Sequence, residues 1–503
     1  MSIKKLAGQT LWYGVPKILS RFLNYGLTLM GFWLFDATET SNLTQVYAII
    51  PFLNVLFTYG LETSYFRFAQ NTDRNKLYNT LTFSVIITTI FFTIVLLLAQ
   101  EPLARFFELR DNPEYVTWMI GILFFDTLAV IPLAKLRLEE RPRKYAFVNV
   151  ASIVINIFLV IFFLFIARNK AEQNPASVWI MIYQPDVGVG YFIIANLIAS
   201  ALSLLFLYKE FSAFKWLFDK KLWLQVLNYS YPLIIVGFGG MINEMLSRLV
   251  YRKVLHLDAM TEKRELGIFG ANYKLAVLIT IFIQVFRLGA EPFFFNQSTR
   301  GDAPRTYARV MKFFVIACCF MFLVVVLFLD FWKLLIAARF QEYAEGIHIV
   351  PILAMGSVFL GIYYNLSVWY KLTNKTMYGA YITIAGAVLT ILLNIWWIPS
   401  FHYTGAAWAT FFCYAFMMVV SYLQGQHYYP VPYAWKKLVA YLVIVSLIYM
   451  IQLGIATLTP EWTIFHFGTG MVLLGAFTLF VLKIEKKELE RLPYVGRFVT
   501  RLI

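Results

Sequence analysis

"YGVPKILSRFLNYGLTL", Tyr13 to Leu29, lies in an apolar segment long enough to cross a bilayer, yet it carries Lys17 and Arg21. A charge near the bilayer centre costs at least about 2.5–3.5 kcal/mol on insertion scales, so such residues face protein or a watery cavity. On a helix, Lys17 and Arg21 fall about 40° apart in projection. Gly14, Asn24 and Thr28 share that face, giving the segment a polar stripe.

Working outward, the same kind of segment recurs along the whole chain. The 503 residues are 60% hydrophobic and only 14% charged, with a mean hydropathy of +0.67. Soluble domains carry about 25% charged residues. The expectation is an all-α polytopic membrane protein, not a barrel of alternating strands. Fourteen spans fit the pattern: 12–35, 43–66, 77–99, 115–134, 145–167, 188–208, 224–250, 268–290, 310–329, 347–370, 378–398, 404–424, 438–458 and 462–482. The longest connection runs from Arg168 to Val187, too short for a soluble domain. Lys4 and Lys5 precede the first span without a small-residue cleavage site after it, so it reads as a retained helix.

The net charge of +15 reads as basic loops held on the cytoplasmic side, not as a nucleic-acid surface. Basic clusters such as Arg141, Arg143 and Lys144, and Lys215, Lys220 and Lys221, fall in alternate loops and place both termini in the cytoplasm. The loop from His256 to Glu265 dissents with Lys263 and Arg264, offset by Asp258, Glu262 and Glu265. Cys318, Cys319 and Cys413 lie inside apolar spans and read as buried thiols. A faint repeat sets "YGLETSYFRF" against "RLGAEPFFFN", matching Gly60 and Glu62 to Gly289 and Glu291. It suggests two six-helix halves and a terminal helix pair: 1–210, 211–425 and 426–503.

Six cations remain inside spans: Lys17, Arg21, Arg248, Lys274, Arg287 and Lys312. Lys312, near a cytoplasmic end, reads as snorkelling. The others, with Asn24, form a candidate cationic site. Four acids, Glu62, Asp126, Glu244 and Glu291, are candidates for coupling or for structural ion pairs. Glu244 can neutralise Arg248, and Glu291 can neutralise Arg287, each four residues apart. The structural alternative for Lys17 and Arg21 is pairing with Glu62 or Glu291. There is no GxxxxGK[ST] loop, no HExxH, and His256, His348, His402, His427 and His466 are scattered without metal spacing. No cofactor is expected; any pumping would draw on a proton or sodium gradient, or on the substrate's own.

The stretches "LAGQTLWYGVPKILSRFLNYGLT", "TQVYAIIPFLNVLFTYGLETSYFRFA", "LAKLRLEERPRKYAFVNV" and "LGIFGANYKLAVLITIFIQVFRLGAEPFF" resemble the multidrug/oligosaccharidyl-lipid/polysaccharide exporter superfamily. Within it the chain is similar to the polysaccharide-biosynthesis flippases. The resemblance implies two lobes in a V around a central cavity, plus the terminal helix pair. It implies carriage of polyprenyl-pyrophosphate-linked glycans across the bacterial inner membrane, with polysaccharide assembly proteins as partners. Lipid II flippases of the superfamily use cations on spans 1, 2 and 8, and Lys17, Arg21, Lys274 and Arg287 sit on spans 1 and 8. The acid that commonly follows in the lipid II branch's first span is absent, with Tyr25 and Gly26 in that region. The expectation is a flippase, not an enzyme. A lipid II flippase is the alternative, and a cation-coupled drug exporter or a membrane glycan polymerase ranks behind.

Overall fold

The computed structural model describes residues 19, 22–69, 71–139, 141–174, 177–255, 258–297, 301–373, 375–459 and 463–490. It is helical, without strands among those residues. The main helices are α1 (22–34), α2 (Ala37–Phe68), α3 (Arg74–Leu98), α4 (Glu114–Leu138), α5 (Pro142–Gln173), α6 (Gly190–Phe206) and α7 (Lys220–Leu255). They continue with α8 (Ala259–Gln297), α9 (Ala303–Val326), α10 (Gln341–Leu372), α11 (Thr376–Tyr428), α12 (Trp435–Leu458) and α13 (Thr463–Leu489). Among the described residues ten helices are long and apolar enough to cross a membrane, which makes the chain a multi-pass membrane protein.

Aspartates start four of these helices. Asp36, Asp73, Asp219 and Asp258 accept from the backbone N–H of Glu39, Lys76, Leu222 and Thr261 at 2.8, 2.7, 2.8 and 2.9 Å. Each satisfies a donor that the helix itself cannot, and places negative charge at the positive end of the dipole. The Asp219 carboxyl is held below its usual range by Lys76 and the Leu222 N–H, and Asp258 by the Thr261 N–H. Their stabilisation is therefore present above the ordinary carboxylate range and lost as pH falls through the depressed values.

Three helices depart from the expected spans. α2 bends at Tyr59 and Gly60, whose φ values are 31° and 73°. Gly289, its partner in the sequence repeat, stays helical, so the repeat does not extend to that bend. α5 contains a π-helical turn, Phe162–Ala167, and continues into the expected loop, where Arg168 pairs with Glu172 at 2.8 Å. α11 carries two expected spans in 53 residues, and the loop expected between 398 and 404 reduces to non-helical backbone at His402 (φ 52°, ψ −137°).

By contact the chain forms two compact units, Met1–Gly270 with Thr383–Ala409, and Ala271–Ile382 with Thr410–Ile503. In the first, α6 packs on α4 and α5, α3 on α4, and α2 on both α4 and α7. α8 opens in this unit: a Cβ added at Gly267 would overlap the Ala37 carbonyl oxygen and lie 2.6 Å from its carbon. Only glycine lets these backbones approach so closely. Nearby, Lys263 pairs with Asp111, and Glu265 meets His402 Nδ1 at 2.8 Å and accepts from the Tyr251 hydroxyl at 2.6 Å. In the second unit α9 packs on α10, α12 and α13, and α12 on α13. Cys318, Cys319 and Cys413 are buried thiols within it.

Candidate functional site

Lys17 and Arg21 lie outside the described residues, as do the side chains of Glu244 and Glu291. Asn24 is exposed on α1. Arg248 is buried in α7, 5% exposed, beside buried Ser247. Lys274 and Arg287 are half-buried on α8. Thirteen residues separate these two, which on an ideal helix is about 20 Å along the axis and roughly 140° around it. They therefore do not form one face, and a single phosphate cannot touch both.

Arg287 sits at a narrow, half-open cleft between α8 and α10, with a cavity volume of about 20 Å³. Its guanidinium lies 3.9 Å from the centre of the Tyr364 ring, a cation–π contact that fixes its plane. Asn365 and Lys371 line the same cleft, with Phe286, Ala290 and Phe294 closing its apolar side. A Cβ at Gly361 would come within 2.8 Å of Ile283, so glycine brings α10 close to α8 here. Asn365 follows Gly361 by four residues and Arg287 follows Ile283 by four. One helical turn past the close approach, the two polar side chains reach one space.

The acids have partners the sequence did not reveal. Glu62 pairs with Arg137 of α4, which also lies over the Phe66 ring at 4.8 Å. The expected alternative partners of Glu62, Lys17 and Arg21, lie outside the described residues. Asp126 is exposed on α4 and engages Ser200 of α6, near the Tyr47 hydroxyl, which accepts from Asn196 at 3.4 Å. Buried Glu210 binds Arg141 at 2.9 Å and Lys144 at 2.5 Å.

Lys312 does not snorkel. Its side chain is 9% exposed, and the ammonium binds Glu485 and Glu488 of α13, each at 2.6 Å. Glu485 also pairs with Lys437 and accepts from the Tyr441 hydroxyl at 2.7 Å. The network pins α9, α12 and α13 together, because an ion so deeply buried needs charged partners. Reading for cations within spans found Lys312 but could not find its counter-ions.

The chain shares its fold with lipid-flipping and drug-exporting membrane proteins. The lipid II flippase MurJ, in an inward closed conformation, superposes with a TM-score of 0.66 at 14% identity, covering 94% of this chain and 99% of its own. An inward-facing multidrug resistance MATE family transporter of the MOP superfamily gives 0.64 at 12% identity, over 81% of this chain and 94% of its own. The Vibrio cholerae MATE transporter VcmN, in its bent form, gives 0.55 at 13% identity, over 84% of this chain and 97% of its own. No family model matches the sequence, and no curated protein does.

Proposed function

We propose that the chain is a flippase that moves polyprenyl-pyrophosphate-linked oligosaccharide across the bacterial inner membrane for surface polysaccharide assembly. Lobes 1–210 and 211–425 alternate access to a cationic cavity, and 426–503 forms the terminal helix pair, in a fourteen-span chain with both termini cytoplasmic. The observation that carries this reading is coverage: the flippase structure spans 94% of the chain and the MATE transporter 81%, a margin the size of a helix pair. Intramembrane cations support it further, since Arg248, Lys274 and Arg287 suit an anionic headgroup better than a cationic drug. Lys17 and Arg21 belong to the same proposed cavity. Lipid II is the second reading, favoured because that neighbour is a lipid II flippase.

The test is translocation in proteoliposomes with lipid-linked oligosaccharide and lipid II as parallel substrates. Movement of the oligosaccharide lipid alone is expected; movement of lipid II alone transfers the assignment to the second reading, and movement of neither removes both. Arg21→Ala and Arg287→Ala should each lower headgroup affinity by about 1.5–3 kcal/mol, the worth of a charge-assisted hydrogen bond. Arg287→Lys should fall between, keeping the charge without the fork. A proton or sodium gradient is proposed to drive the cycle through Glu62 and Glu291. Glu62→Gln and Glu291→Gln should blunt gradient dependence, and unchanged dependence in both variants would remove them from that role. For sidedness, single cysteines near Asn112 and Asn174 should label from outside, and those near Asn75 and Lys220 should not.

A further inference from the structure

We infer that the cleft between α8 and α10 is an oxyanion subsite in which Asn365 and Lys371 act with Arg287 on a phosphoryl group. The inference rests on the flippase reading and adds two residues that nothing in a search for charged spans singles out.

The first observation is an unsatisfied donor. Asn365 is 6% exposed, and its Nδ2 has no hydrogen-bond partner among the described residues. A buried donor left unmade costs its full desolvation, so such a group marks a missing acceptor. The second is the chemistry of the lining. The polar side chains are Arg287, Tyr364, Asn365 and Lys371; the rest are apolar. Two cations and an amide face a space with no carboxylate among the lining residues, so the matching occupant is rich in acceptor oxygens and negative. The third is preorganisation: the Tyr364 ring holds the guanidinium, and the tight Gly361 contact sets the register of Asn365. A planar fork, a point charge and an amide donor suit a tetrahedral phosphoryl group, which presents oxygens in several directions. That group could belong to a polyprenyl pyrophosphate or to an anionic phospholipid, and the apolar wall of Phe286, Ala290 and Phe294 suits either lipid.

The decisive variant is Asn365→Asp. It keeps the shape, pairs with the local cations and so should not unfold the protein, but it fills the subsite with its own anion. The probe is farnesyl pyrophosphate, titrated into full-length protein in phosphatidylcholine nanodiscs, with farnesol as the phosphate-free control. Asn365→Asp should weaken farnesyl pyrophosphate at least a hundredfold, and Asn365→Leu and Lys371→Met about tenfold each, with farnesol unaffected. Affinity of Asn365→Asp within threefold of wild type overturns the subsite, as does an equal loss of farnesol, which would mean altered packing. Repeating the titration in phosphatidylglycerol nanodiscs separates the sources. Weaker binding there by wild type, but not by Asn365→Asp, assigns the site to the phospholipid; equal binding assigns it to the pyrophosphate lipid. The two readings fail separately. Glycan-lipid translocation with normal probe binding by Asn365→Asp sinks the subsite alone. Asn365-dependent binding without glycan-lipid translocation sinks the flippase reading alone.

Discussion

Gly267→Ala is expected to abolish the arrangement in which α8 begins against the start of α2. The new methyl would lie 2.8 Å from the Ala37 Cα as well as overlapping its carbonyl. All the atoms it meets are backbone, so no rotamer change relieves the clash. Overpacking a close contact costs about 1–3 kcal/mol where side chains can adjust, and more where they cannot. Gly240→Ala in α7 is the control, because an added Cβ there meets nothing within 4 Å. It should be neutral or slightly stabilising. The readout is a short thiol crosslink between cysteines replacing Asp111 and Lys263, which pair in the structure. Gly267→Ala should cut its yield at least tenfold and Gly240→Ala should not. Crosslinking of Gly267→Ala at the wild-type yield would refute the prediction.

Glu485→Ala should be the most destabilising single change in the second unit. It removes the shared partner of Lys312, Lys437 and Tyr441 at a carboxylate 2% exposed. Breaking a buried pair from one side costs about 3–5 kcal/mol where the remaining charge is left alone; here Glu488 still holds Lys312, so the loss falls toward the lower end of that range. Lys312→Met combined with Glu485→Met should recover much of the loss, since an apolar pair of similar volume can replace a buried ion pair. Unfolding of the purified protein measures both. Glu101→Ala, which breaks the exposed pair with Arg105, should move stability by less than about 0.5 kcal/mol. A double variant no more stable than Glu485→Ala would show that the network is not what holds α13 in place.

The transmembrane class was legible because uninterrupted apolar runs leave no alternative. α3 was expected over 77–99 and covers Arg74–Leu98, since an apolar core and a capping aspartate mark its ends locally. The break expected between 398 and 404 falls at His402, where a kink joins two helical stretches of α11 in place of an open loop. Charge partners were illegible in principle. Nothing local to Glu62 points to Arg137, 75 residues on, and nothing local to Lys312 points to α13. Arg287 was found by its charge, but Asn365 was not, because an uncharged amide in an apolar run looks like ordinary packing until its neighbours are known. Lys371 lies one residue past the expected span 347–370, so it falls outside the intramembrane cations. The candidate site was thus legible where it is charged and hidden where it is merely polar.

The Lys312–Glu485 bond also sets a timetable for synthesis. The two residues are 173 apart, and a ribosome adding about 5–20 residues per second makes the second roughly 10–35 s after the first. For that interval α9 carries a cation whose lasting counter-charge does not yet exist. The nascent helix must therefore wait at the membrane surface or beside the insertion machinery. It can settle only when the last helix emerges, so a chain that stops short of Glu485 is marked as unfinished by the charge it cannot hide.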